Sequence, residues 1–168
     1  MTNTDEPLFD SDEDAESASS GDRSDLGTRI RDLVTSQPYA VLCTQSRTQP
    51  YGALVAFAFS ADLKQAVLAT PVATRKYRIL SECDHVALVI DNRPDHVDDF
   101  MSVEAVTVTG RATLLEPETG SAEWGRALVT RHPYLESFVA APSCALFRID
   151  VVRFFHVTRF QEVGQWRP

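Results

Sequence analysis

Lysine is almost missing from this chain: Lys64 and Lys76 are its only two, so arginine supplies the other fourteen of sixteen basic side chains. Cysteine is scarce too. Cys43, Cys83 and Cys144 are odd in number, widely spaced and joined by no CxxC or CxxH pattern, which excludes a disulfide framework or zinc finger and reads as core thiols. The four histidines, His85, His96, His132 and His156, stand apart from one another, so no metal site is expected. No segment approaches the roughly 18 consecutive apolar residues that a membrane helix needs, and the first residues are neither basic nor apolar, unlike a signal peptide. The expectation is a cytoplasmic protein that makes no membrane contact. Neither GxGxxG nor GxxxxGKS/T occurs, so a Rossmann turn and a phosphate loop are both excluded.

Acid, by contrast, is abundant and unevenly placed. The formal charge is −8, yet residues 1–25 hold nine Asp or Glu against one Arg, which leaves the remainder with fifteen acids and fifteen bases. The acidity therefore belongs to a tail that has almost nothing to bury and reads as disordered. Residues 26–168 form the folded part. With 43% hydrophobic residues in 168, the chain suffices for one ordinary core.

Apolar spacing organises that part. Leu26, Ile30, Leu33 and Val34 share one helical face, with Asp25 as the expected cap and Pro38 as the stop. Three strands then follow around two turns: "YAVLCTQ" from residue 39, "YGALVAFAFS" from residue 51 and "QAVLAT" from residue 65. A short helix is expected after Pro71, capped by Thr74. "HVALVID" reads as a buried strand, and "VEAVTVTGRATLLE" as an alternating one with a bulge or close backbone approach at Gly110. A second helical region opens at Pro117. "CALFRIDVVRFFHVTRF" then supplies two strands or one bent strand. Turn-linked strands interrupted twice by helices make an α+β fold on an antiparallel sheet, and closure into a barrel removes exposed edges.

One short stretch stands out. "ATPVATRKYRIL", residues 69–80, places Thr70, Thr74, Arg75, Lys76 and Arg78 at the exit of a strand and the entry of a helix. Cations are disfavoured at a helix N-terminus by the macrodipole, whereas a bound phosphate is favoured there by exposed N–H groups. A basic cluster in that position makes sense when an anion compensates it, Arg75 offering a forked contact and Lys76 a point charge. Nucleic acid is set aside, because the folded part is neutral and the tail would repel a phosphate backbone.

The order of these pieces resembles the FMN-binding split barrels related to pyridoxamine 5′-phosphate oxidase. The corresponding stretches are "PYGALVAFAF", "VLAT", "TRKYRIL", "HVALVID" and the later "VTVTGRA", together covering approximately residues 33–166. The resemblance implies an antiparallel split β-barrel that binds FMN, with Arg75 and Lys76 on the phosphate and Thr70 and Thr74 near the phosphate or ribityl chain. Ala53, Leu54, Val55, Ala56, Phe57 and Ala58 would run beneath the isoalloxazine. It also implies a homodimer with the flavin at the interface, where Trp166 would reach a partner's flavin or else anchor a loose end. The oxidase members carry lysine where this chain has Ala58 and glutamine where it has Ala105. The implied function is thus a flavin-dependent oxidoreductase acting on an unidentified small molecule, with no catalytic residue singled out. A non-catalytic flavin or haem module, with His96, His132 or His156 as axial ligand, and a deazaflavin enzyme are the alternatives.

Overall fold

The structure, a computed structural model, describes residues 20–116, 120–159 and 162–168, with side chains from Asp25 onward. Most of the acidic tail and Pro117 lie outside the described residues.

Helix α1 (Ser20–Ser36) buries Ile30, Leu33 and Val34. It starts five residues before the expected cap, so Asp25 lies inside it; the polar opening turns carry no apolar repeat to announce them. Its end is held from outside. The Arg131 guanidinium donates to the carbonyls of Val34 at 2.7 Å, Thr35 at 3.1 Å and Gln37 at 2.7 Å, acceptors that a helix terminus leaves open.

Seven antiparallel strands follow among the described residues: β1 (Tyr39–Ser46), β2 (Gln49–Phe59), β3 (Gln65–Pro71), β4 (His85–Asp91), β5 (Ala105–Leu114), β6 (Cys144–Thr158) and β7 (Glu162–Trp166). They pair in the order β3-β2-β1-β4-β5-β6-β7, and a further β3–β6 ladder closes six of them into a barrel with β7 outside it. Alternation decides what points inward. Leu42, Phe57, Leu68, Leu88, Val108, Phe147, Ile149 and Phe154 fill the interior at 1% exposure or less, each such side chain contributing roughly 1.5–3 kcal/mol by burial. The three cysteines are half-buried rather than fully in the core.

The long final apolar stretch forms one strand, β6. It pairs with β5 along most of its length, with β3 through its first half and with β7 through its second. The β5–β6 register shifts between Thr109 and Gly110, and a Cβ at Gly110 would lie 2.6 Å from the Asp150 carbonyl oxygen. Only glycine fits so close a backbone approach.

Helix α2 (Arg75–Glu82) buries Ile79 and Leu80 and sets Tyr77 edge-on to Phe147 at 5.8 Å. Helix α3 (Ser121–Arg131) lies outside the barrel, where Leu128 packs with Ala58, Val67, Leu115 and Leu146; a short α4 (Glu136–Val139) adds Val139 to the same cluster. Among the described residues no helix is long and apolar enough to cross a membrane.

Candidate functional site

The barrel is split at one seam. Strand β2 pairs with β3 only through Phe57, Ala58 and Phe59, which face Leu68, Val67 and Ala66. Before Phe57, β2 keeps β1 as its partner, while β3 beyond Leu68 pairs only with β6. The two strands therefore part between residues 53–56 on one side and Ala69, Thr70 and Pro71 on the other, leaving β2 an edge unpaired by β3. Helix α2 begins just past the end of β3.

Two threonines build that helix entry. Thr70, fully buried on β3, hydrogen-bonds Thr74 with the hydroxyl oxygens 2.9 Å apart. The Thr74 hydroxyl donates to the Pro71 carbonyl at 2.7 Å and accepts from the Tyr77 N–H at 3.2 Å, so Thr70 must be the donor between them. With one bond given and two accepted, the Thr74 hydroxyl has no capacity left. Both threonines thus shape the helix entry, and neither has a hydroxyl proton left to donate to a bound anion. What they leave open are the N–H groups of Arg75 and Lys76, which have no acceptor among the described residues.

The charges around those N–H groups share one sign. The first turn of α2 contains no acid, and among the described residues Arg75, Lys76 and Arg78 form no ion pair. Arg75 is exposed and lies over the Tyr51 ring at 5.3 Å, reaching from α2 back to β2. Lys76 is half-buried, and loss of solvent pushes its ammonium below the ordinary lysine range. A desolvated cation with no counter-charge at the positive end of a helix is a costly arrangement that a bound anion relieves.

The other expected site residues divide. Ala53 and Ala56 are half-buried beside the seam, Val55 points into the barrel, and Leu54 is 67% exposed on the outer face. Phe57 and Ala58 lie beyond the seam: Phe57 is interior, and Ala58 is packed beneath α3. Their side chains belong to the core rather than to an open platform. Trp166 packs on Phe154 at 5.3 Å and within 3.0 Å of where a Gly27 Cβ would sit. Within this chain it joins β7 to α1 and β6, which is the anchoring role.

Two features were not legible in the sequence. His132, only 2% exposed, has Nε2 2.9 Å from the Phe57 carbonyl and Nδ1 3.2 Å from the Tyr134 hydroxyl, which itself lies 3.2 Å from Tyr39. Nε2–H donates to the carbonyl, while the Tyr134 hydroxyl beside Nδ1 donates to Tyr39. The second feature is a cavity of about 700 Å³ between α3, α4 and the start of β6, with Tyr77 of α2 and Leu114 of β5 also lining it. Its lining spans segments far apart in the chain.

A sequence profile of pyridoxamine 5′-phosphate oxidase matches residues 26–158. The chain belongs to that family. The split-barrel architecture of the pyridoxamine 5′-phosphate oxidase family recurs in solved structures. A heme-binding protein from Mycobacterium smegmatis is similar at TM-score 0.69 and 18% identity, covering 80% of this chain and 55% of that one. A FAD-binding protein from Mesorhizobium loti matches at 0.61 and 15%, covering 77% and 90%. A protein related to general stress protein 26, of the pyridoxinephosphate oxidase family, from Clostridium acetobutylicum matches at 0.66 and 14%, covering 85% and 94%. At these identities the likeness is one of fold, and this chain spans little more than half of the Mycobacterium protein. No curated protein matches the sequence.

Proposed function

We propose that the protein binds the FMN portion of a flavin and acts as a flavin-dependent oxidoreductase on a small molecule. The observation that carries this reading is the cluster of Arg75, Lys76 and Arg78, uncompensated among the described residues, at the α2 N-terminus beside the β2–β3 seam. Arg75 and Lys76 hold the phosphate through side chains and free N–H groups, while Thr70 and Thr74 keep the helix entry in place. Residues 53–56 offer backbone donors and acceptors along the seam to the polar edge of the ring system. When bound, the flavin supplies hydride exchange with a reduced donor such as a nicotinamide and with an acceptor; the protein's share is orientation and exclusion of water.

A homodimer is part of the proposal. Tyr39 at 46% and Leu54 at 67% exposure stand on the outer face of β1 and β2. Half-buried Val41, Ala56 and Val89 extend the same face, since Tyr39 lies opposite Ala56, and Val41 opposite both Leu54 and Val89. A second copy would cover this apolar face. Haem receives less support from the side chains, although one structural relative is named for it. His132 has Nε2 on the Phe57 carbonyl and the Tyr134 hydroxyl beside Nδ1, and His156 is 3% exposed with Nε2 on Glu104 at 2.9 Å.

The visible spectrum of the purified protein, followed by titration with FMN, a deazaflavin and haemin, tests the reading. Saturable FMN binding tighter than that of the other two is expected. A colourless protein that takes up no flavin would defeat the proposal. Stopped-flow reduction by NADH or NADPH then separates an enzyme from a storage module, since only the enzyme reduces its flavin within turnover time.

A further inference from the structure

The 700 Å³ cavity falls within the range of roughly 300–1,000 Å³ typical of small-molecule sites, and none of the residues assigned to the flavin lines it. Its floor and its rim differ in character. Leu115, Gly125, Ala145 and Leu146 are buried at its base, and half-buried Tyr77 and Val139 continue the apolar surface. The ionisable groups are the exposed ones: Glu116 follows β5, Arg126 stands on α3 and Glu136 opens α4. Two carboxylates thus meet one guanidinium, and neither lysine nor histidine belongs to the lining. Cys144 adds no charge, because burial pushes its thiol above the ordinary range.

An acidic rim over an apolar floor selects by sign. A carboxylate or phosphate on an apolar body would bring a third negative charge to the rim, whereas an ammonium meets an excess of acceptors. Glu136 is available for that role, since its side chain makes no ion pair or hydrogen bond among the described residues, with Arg126 or with any other. A metal ion is the wrong cation. No group of His, Cys, Asp or Glu able to hold one occurs among the described residues, and a bare ion would leave the apolar floor uncovered. The Tyr77 ring, by contrast, gives a flat apolar body a surface on which to stack. We propose that this cavity binds a small organic amine, with its flat apolar body on the Leu146 floor and its ammonium at the rim that carries Glu116 and Glu136. The inference does not rest on the flavin reading above.

Calorimetric titration of the full-length protein with tryptamine, and with indole-3-propionate and 3-methylindole as its anionic and neutral counterparts, tests it. Exposed charges set a modest scale, so tryptamine is expected to bind at least about fivefold tighter than either counterpart at low salt, with the margin shrinking at about 0.5 M. Glu136→Gln should erase most of that margin and leave 3-methylindole binding as it was. Ala140→Trp, which fills the cavity from the end of α4, should abolish binding of all three. No saturable tryptamine binding, or equal binding of the anionic or neutral counterpart, would overturn the proposal. So would a margin that survives Glu136→Gln, a result that stands even where the tryptophan variant fails to fold. Tryptamine binding that persists in a folded Ala140→Trp protein would put the amine elsewhere and overturn the site.

Discussion

The hydroxyl oxygens of Thr70 and Thr74 lie 2.9 Å apart and join the last inward residue of β3 to the cap of α2. The contact fixes the direction in which the helix leaves the barrel, and with it the aim of the N–H groups of Arg75 and Lys76. Thr74→Ala removes the cap and is expected to cost about 1 kcal/mol of stability, within the usual 0.5–2 kcal/mol for such losses. Flavin affinity should fall with it. Thr74→Ser keeps the oxygen and should recover both, as read by urea denaturation and flavin titration. A Thr74→Ala variant with unaltered stability would show that the cap contributes nothing.

Replacing Arg75 and Lys76 together by Ala tests the phosphate reading. Charged hydrogen bonds contribute roughly 1.5–3 kcal/mol each, and the exposure of Arg75 places its share at the lower end. The expected result is a loss of flavin affinity of at least about tenfold while the apo fold keeps its melting temperature. The half-buried Lys76 adds a pH signature. Burial lowers its folded pKa below 10.5, so the unfolded state binds more protons between the two values and apo stability rises with pH across that window. Flavin affinity should move the opposite way, falling as Lys76 loses its proton. Affinity that stays flat through the alkaline range would remove Lys76 from the site.

Thr44 makes a prediction of opposite sign. Its hydroxyl is buried on β1 and has no hydrogen-bond partner among the described residues. An unsatisfied buried polar atom costs about 1–3 kcal/mol, and an apolar group of the same shape escapes that cost. Thr44→Val should therefore stabilise the protein, by about 1 kcal/mol in chemical denaturation. A destabilised variant would mean that the hydroxyl finds a partner in solution.

Glu104 ties three elements together. One of its carboxylate oxygens accepts from Arg29 of α1 and the other from His156 of β6, each at 2.9 Å. Burial raises its pKa, but the bonds to Arg29 and His156 outweigh that and hold it below 4.5. A lowered carboxylate pKa contributes stability above the unfolded value, and that contribution disappears as pH falls through the folded one. Glu104→Gln should cost about 1 kcal/mol near neutrality, after allowing for the exposure of Arg29. The cost should shrink below pH 4.5, where the carboxylate takes up its proton. Parallel pH–stability curves for the two proteins would contradict this account.

Much of the architecture was legible because strands and helices report through short periods. "HVALVID" alternates cleanly and is β4 from end to end. Gly110 marked the irregularity that the β5–β6 register contains. The start of α1 was hidden because its opening turns are polar. The identity of the Thr74 cap was legible from local spacing, but the saturation of its hydroxyl was not, since that depends on Thr70 folding back onto it. Ala58 looked like part of a platform, yet α3, some 70 residues later, covers it. Likewise, the clamp of Arg131 on Val34 joins positions 97 apart.

The sequence by itself determined the kind of elements, their order, and the gathering of basic residues at one strand-to-helix turn, because propensity, alternation and capping act over a few neighbouring residues. Only the tertiary structure decided where the barrel opens, which residues line that opening and where the cavity beside α3 lies. Those outcomes depend on register between distant strands: Thr70 lies opposite Ala145 while β2 has already turned away. No local pattern encodes that divergence, because it arises from closing a sheet whose strands must twist and stagger to meet.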